Sequence, residues 1–153
     1  MFPVLVPIVL LANGLAAGVL LWSVIGGVPM LRWLPAARYV ETEQFWGNRF
    51  EPFQPICVVL TAAGDIALAI IAGLPAGPLF GTAGMLAVKV LLVSLTRNVP
   101  IKRWVMSLDP GRLPADWEQR DPRARWAKWN LVRSSLAVAA FVLNLVAVAT
   151  TLH

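Results

Sequence analysis

FPVLVPIVLLANGLAAGVLLWSVIGGVPML, the stretch from Phe2 to Leu31, contains no charged side chain. About 20 apolar residues suffice to cross the hydrocarbon of a bilayer, so this stretch predicts a membrane-spanning helix. Met1-Phe2-Pro3 lacks the basic start of a secretory signal, and the apolar run behind it is too long for one, which makes it a retained helix. The rest of the chain agrees with a membrane protein. Of its 153 residues 58% are hydrophobic and only 14% charged, with a mean hydropathy of +0.71. So small a globule cannot hide that much apolar surface. Lipid must serve as its solvent.

Outward from the first span, Arg32 to Gln54 is mixed, and Ala36 to Phe50 reads as a short helix lying at the membrane interface. Tyr39, Glu43, Trp46 and Phe50 share one face of it at helical spacing. From Pro55 to Leu95 the chain is apolar again, interrupted only by Asp65 and Lys89. The breaker-rich run Gly73-Leu74-Pro75-Ala76-Gly77-Pro78 divides it into two helices. Arg97 to Asn130 is a polar connection, and Asp121-Pro122 suits the start of a last helix, with Asp as N-cap and Pro at the first helical position. The expected fold is an all-α integral membrane protein, one four-helix bundle with spans at about 3–30, 55–72, 78–96 and 130–152. No internal repeat stands out by eye.

The Lys and Arg outside the spans all fall in the first and third connections. By the positive-inside rule both face the cytoplasm and both termini lie outside, in what we expect to be the bacterial cytoplasmic membrane. The formal charge of +5 thus serves topology and contacts with membrane lipid, and nucleic acid is not an expected partner. One cysteine, Cys57, allows no internal disulfide, and the one histidine is the terminal His153. That supply nearly excludes a haem or copper site, and we expect no metal and no cofactor. A homo-oligomer stays open.

Charges inside a bilayer are costly and usually face a partner or a cavity. Asp65 and Lys89 sit at similar depth on antiparallel neighbours, so an ion pair and a buried acid–base site are both open, as is a snorkelling Lys89. Asn13 adds a polar group to the first span. Asn98-Val99-Pro100-Ile101-Lys102 ends the third span, where an amide and an ammonium suit an anionic oxygen. On the last helix Trp126, Asn130 and Arg133 fall at i, i+4 and i+7, on one stripe, with Trp129 close by. Of Glu41 and Glu43, two apart on a helix, only one can face the bundle.

These last segments carry a resemblance. Asn98-Val99-Pro100-Ile101-Lys102, Ala115-Asp116-Trp117, and Arg125-Trp126-x-x-Trp129-Asn130-x-x-Arg133 resemble the anthrone oxygenase-like family of small four-helix membrane proteins. The resemblance implies cofactor-free oxygenation of an anthrone to an anthraquinone, in the tailoring of polyketides. The family's motif commonly reads Asn-x-Pro-x-Asn, and here Lys102 stands in place of the second Asn, bringing a cation to the site.

The chemistry needs an apolar cavity, a base, and donors that favour an enolate. Glu41, Glu43 and Asp65 are the candidate bases, and Asn98, Asn130 and Arg133 the candidate donors. Trp126, Trp129, Lys102, Lys89 and Asn13 are the candidate contacts for a hydrophobic small-molecule substrate. Two further functions fit the same residues: a membrane cyclase or isomerase that needs no oxygen, and a non-catalytic protein that binds lipid or a partner.

Overall fold

The computed structural model describes residues 2–47, 49–50 and 52–151. The end of the expected fourth span, Leu152, and His153 lie outside the described residues. Helix α1 runs Phe2–Trp33, α2 Ala36–Gly47, α3 Phe53–Ile71, α4 Ala76–Met106, the single turn α5 Trp117–Arg120, and α6 Arg123–Thr150. Among the described residues there is no strand. The chain is an all-helical membrane protein in which α1, α3, α4 and the last helical stretch are each long and apolar enough to span a bilayer.

The four helices form a ring in chain order, each packed on the next and α6 closing against α1. Its interior is rich in small residues, with Ala12, Ala16, Ala17, Ala62, Ala83, Ala87, Ala137, Ala140 and Ala147 all buried, alongside a few large ones such as Leu20, Leu68 and Phe80. Large aliphatics such as Val4, Leu11, Ile56, Ile70, Met85 and Val142 point outward instead. With lipid as solvent no hydrophobic force drives Leu inward, and small side chains let the backbones come close enough for dispersion to hold them. Gly64 shows the limit, since a Cβ there would run into the Val9 side chain of α1. Gly14 is pressed by the Phe141 ring, 3.3 Å from where its Cβ would stand, whereas Gly18 faces open space. The tight α3–α4 turn closes on Gly73, whose φ of +66° suits a residue without a side chain.

The end of α4 differs from the expected 96, for a reason that α1 shares. Pro29 and Pro100 do not end α1 and α4. Each is preceded by a π-helical turn, Ser23–Gly27 and Ser94–Asn98, in which the N–H of Val28 or Val99 donates to the carbonyl five residues back. The wider turn lets each proline sit in the first turn of the α-helix that follows, where its missing N–H costs little. Helix α4 therefore runs on to Met106. Side by side, the two turns also expose a local repeat that the eye misses: Ser23-x4-Val28-Pro29-x-x-Arg32-Trp33 and Ser94-x4-Val99-Pro100-x-x-Arg103-Trp104.

At the last helix, Pro122 is the N-cap and Asp121 Oδ1 accepts the Arg123 N–H at 3.0 Å, so the capping carboxylate acts one residue earlier than its sequence position suggests. Arg123 then donates to Leu34 O at 2.8 Å and Leu31 O at 3.3 Å, satisfying carbonyls at the end of α1. In the same way α2 is fixed to the end of α4. Gln44 donates to Leu108 O at 2.8 Å and Lys102 to Gly47 O at 2.7 Å.

Gly64→Leu forces α1 and α3 apart. Overpacking of this kind costs about 1–3 kcal/mol, and thermal unfolding in detergent is expected to show a clear drop in Tm, whereas Gly18→Leu leaves it nearly unchanged.

Candidate active site at the charged end of the bundle

Both π turns lie at the end of the bundle where the charges gather, and a cleft of about 130 Å³ opens between them. Trp22, Trp46, Phe50 and Trp126 supply aromatic walls, and Glu43, Asn98, Lys102 and Arg133 supply its strongest polar groups. Helix α2 lies across the cleft because its Gln44 and Lys102 ties hold it there. Trp22 meets Trp46 edge-on at 5.5 Å between ring centroids and Phe50 at 6.4 Å.

The floor is organised by α6. Asn130, fully buried, donates to Ser23 Oγ at 2.8 Å, and Arg133 Nε donates to Asn130 Oδ1 at 3.0 Å. Arg133 Nη1 also approaches Ser94 Oγ at 3.5 Å. The first serine of each π turn is thus held by this Asn–Arg unit, which aims the guanidinium into the cleft. Ser134 adds a bond to Leu20 O at 3.1 Å.

Asn98 closes the second π turn. It is buried, yet neither its Nδ2 nor its Oδ1 has a hydrogen-bond partner. An unpartnered buried amide is costly, and this one lines the cleft. Its side chain is therefore poised to bond whatever occupies that space.

Glu43 faces Lys102 and Arg133 across the cleft. Burial pushes its carboxyl from the usual 4.5 up to about 7, and the two cations pull it only part of the way back. A carboxylate so placed can take and return a proton near neutrality. Glu41 points the other way, exposed and paired with Arg38 at 2.7 Å.

Residues 43–143 match the anthrone oxygenase family. The chain belongs to the anthrone oxygenase family. No curated protein and no solved structure matches it. The segment shared with the anthrone oxygenases starts at Glu43 and takes in Asn98, Lys102, Trp126, Asn130 and Arg133, while Trp22 and Ser23 come from the helix before it.

Other residues singled out in the sequence lie elsewhere. Asp65 is buried about 16 Å of helix rise from the cleft residue Gln54. Its Oδ2 accepts from Asn144 Nδ2 at 3.1 Å, while Asp65 Oδ1 and Asn144 Oδ1 have no partner. Lys89 is exposed on the outer face of α4, so among the described residues no ion pair joins it to Asp65. Asn13 is buried beside Thr61 against a void of about 10 Å³ in mid-bundle. Trp129 lines a different groove, on the other side of α4. Among the described residues no three His, Cys, Asp or Glu gather as a metal site would need.

Trp22, Ser23, Ser94 and Trp46 are cleft or floor residues that the sequence reading did not select. The repeated Ser-x4-Val-Pro spacing was the available signal for the serines. Asn144, a polar residue within an apolar span, was the signal for the Asp65 contact.

Removing the floor amide strips Ser23 and Arg133 of a partner at once. Asn130→Ala is expected to destabilise the bundle by about 1–3 kcal/mol, read as a lowered Tm in detergent, while Lys128→Ala on the exposed face changes it little.

Proposed function

We propose that the cleft is the active site of a cofactor-independent tailoring oxygenase acting on an anthrone or similar acidic, aromatic CH₂ compound. The observation that carries this reading is the Glu43 carboxyl facing two cations and an unpartnered amide across an aromatic-walled cleft. Membership of the anthrone oxygenase family supports it.

The chemistry follows from those groups. The methylene of an anthrone lies between two aromatic rings and across the ring from a carbonyl, so losing a proton gives an aromatic enolate. Glu43 takes that proton. Asn98 Nδ2, Lys102 and Arg133 favour the negative charge that moves to the oxygen. The electron-rich enolate then reduces dioxygen directly. One oxygen atom bonds to the carbon, the second leaves as water with the two methylene hydrogens, and a quinone carbonyl results. No redox group is required, because the substrate supplies all four electrons. A cleft of about 130 Å³ is the size class that takes a single ring, so the reacting ring enters and the remainder of a polycycle extends beyond the walls.

The substrate reaches the site from the lipid, with the charged end of the bundle in the cytoplasm, both termini outside and α2 lying at the interface. The positive-inside distribution of Lys and Arg supports this orientation. In a Cys57→Ala background an impermeant maleimide applied to intact cells is expected to label Leu74→Cys in the α3–α4 turn. It should leave Ser107→Cys unlabelled until the cells are opened.

The base must be ionised to act. The rate of oxygen-dependent anthrone consumption is therefore expected to climb as pH rises through about 7 and to level off above it. Glu43→Gln removes the climb and lowers kcat by about 100-fold or more, while Glu41→Gln preserves both. An oxygen electrode should register one dioxygen per anthrone consumed. Turnover without oxygen uptake would instead identify a cyclase or isomerase using the same base.

A further inference from the structure

On the side of α4 turned away from the cleft, a second and larger groove of about 590 Å³ runs between α4 and the start of α6. We infer that it binds the headgroup of an anionic phospholipid from the leaflet at the charged end of the bundle. The inference needs only the membrane placement and is independent of the proposed chemistry.

Three guanidinium groups line the groove, from Arg97, Arg120 and Arg125. Among the described residues its one carboxylate, Asp121, is already held by Arg123 at 2.6 Å, so the field left for a ligand is positive. Asp116 approaches Arg120 at 3.6 Å, but both side chains are half exposed, and such pairs hold weakly. Two of the arginines are braced on aromatic faces. Arg97 lies 4.8 Å over the Trp129 ring, and Arg120 4.9 Å over the Trp104 ring. Stacking occupies the face of a guanidinium and leaves its in-plane N–H groups for phosphate oxygens, with little entropy left to lose.

The surroundings select a lipid over a soluble anion. Leu92, one turn from Thr96 in the groove wall, is 55% exposed, and Val132, one turn from Trp129, is 37% exposed. These aliphatic surfaces run from the groove along the outside of the spans, where acyl chains lie. Trp129 and the arginines sit at the end of the apolar stretch, the depth at which headgroups and aromatic belts occur. Basic pockets between helices at this depth suit anionic headgroups.

The test is native mass spectrometry of the full chain in neutral detergent with dioleoyl-phosphatidylglycerol, against dioleoyl-phosphatidylcholine of identical chains. One phosphatidylglycerol per chain is expected to be retained in clear preference. Binding should weaken roughly fivefold for each guanidinium removed, so Arg97→Gln with Arg125→Gln abolishes the preference, and Arg112→Gln, exposed in the same connection, keeps it. Equal retention of the two lipids by the unaltered protein overturns the inference, as does a preference that survives in the double variant. Displacement of the lipid by millimolar inorganic phosphate would assign the groove to a soluble anion and likewise overturn it. Should the double variant fail to fold, Arg125→Lys and a sodium chloride titration replace it. The charge-conserving variant must keep most of the preference, and added salt must erode it. None of these readouts involves turnover, so a failed oxygenase assay leaves this result standing.

Discussion

A proline within a membrane helix leaves a carbonyl without its donor, and hydrocarbon has nothing to give in return. Pro7 meets that constraint early in α1, within a continuous α-helix; at Pro29 and Pro100, toward the charged end, a π turn stands just before the proline. The rest of the charged end depends on that solution. A π turn widens the helix and shifts the face on which later residues emerge. Asn98 is brought to the cleft, and Ser23 and Ser94 are set at matching heights for the Asn130–Arg133 unit of α6. Without the two turns, the helices would be regular and the site residues would lie on other faces.

The middle of the bundle obeys the same accounting with a different outcome. It is packed with alanine and glycine, so the helix axes lie close together and leave only a small void. Space for a ligand exists where packing is interrupted by bulky aromatics and by α2 crossing the end. The polar cluster of Asp65 and Asn144 is therefore separated from the cleft by tightly packed small residues. The same division accounts for the electrostatics. Glu43 stands between lipid-like walls and two cations, which is why its carboxyl rests near neutrality, whereas Glu41 on the outer face of the same helix pairs with Arg38 in the open.

Helix α4 and the start of α6 line both the cleft and the basic groove, one on each side. Asn98, Val99 and Lys102 turn toward the cleft, and Arg97, Ile101 and Trp104 toward the basic groove. On α6, Trp126 and Arg133 face one way and Arg125 and Trp129 the other. A headgroup drawn to the groove would brace the same two segments that shape the cleft.

The sequence by itself determined the number of membrane spans, the turn between the second and third, and the end at which charge collects. Each of these follows from local composition: apolar runs long enough to cross a bilayer, a Gly/Pro turn, and basic connections. It also pointed to Asn130 and Arg133, polar groups on one stripe of the last helix, and to Asn98, at the end of the third span. Three matters were left to the tertiary structure. Asp65 and Lys89 have similar depth in the chain, yet one faces the interior and the other the outside, since rotation about the helix axis is set by packing against neighbours. Glu43 rather than Glu41 enters the site because Gln44 and Lys102 fix how α2 is turned. The continuation of α4 through Pro100 uses a widened turn whose serine lies against Arg133 of a helix more than thirty residues away in sequence, a contact that no local pattern records.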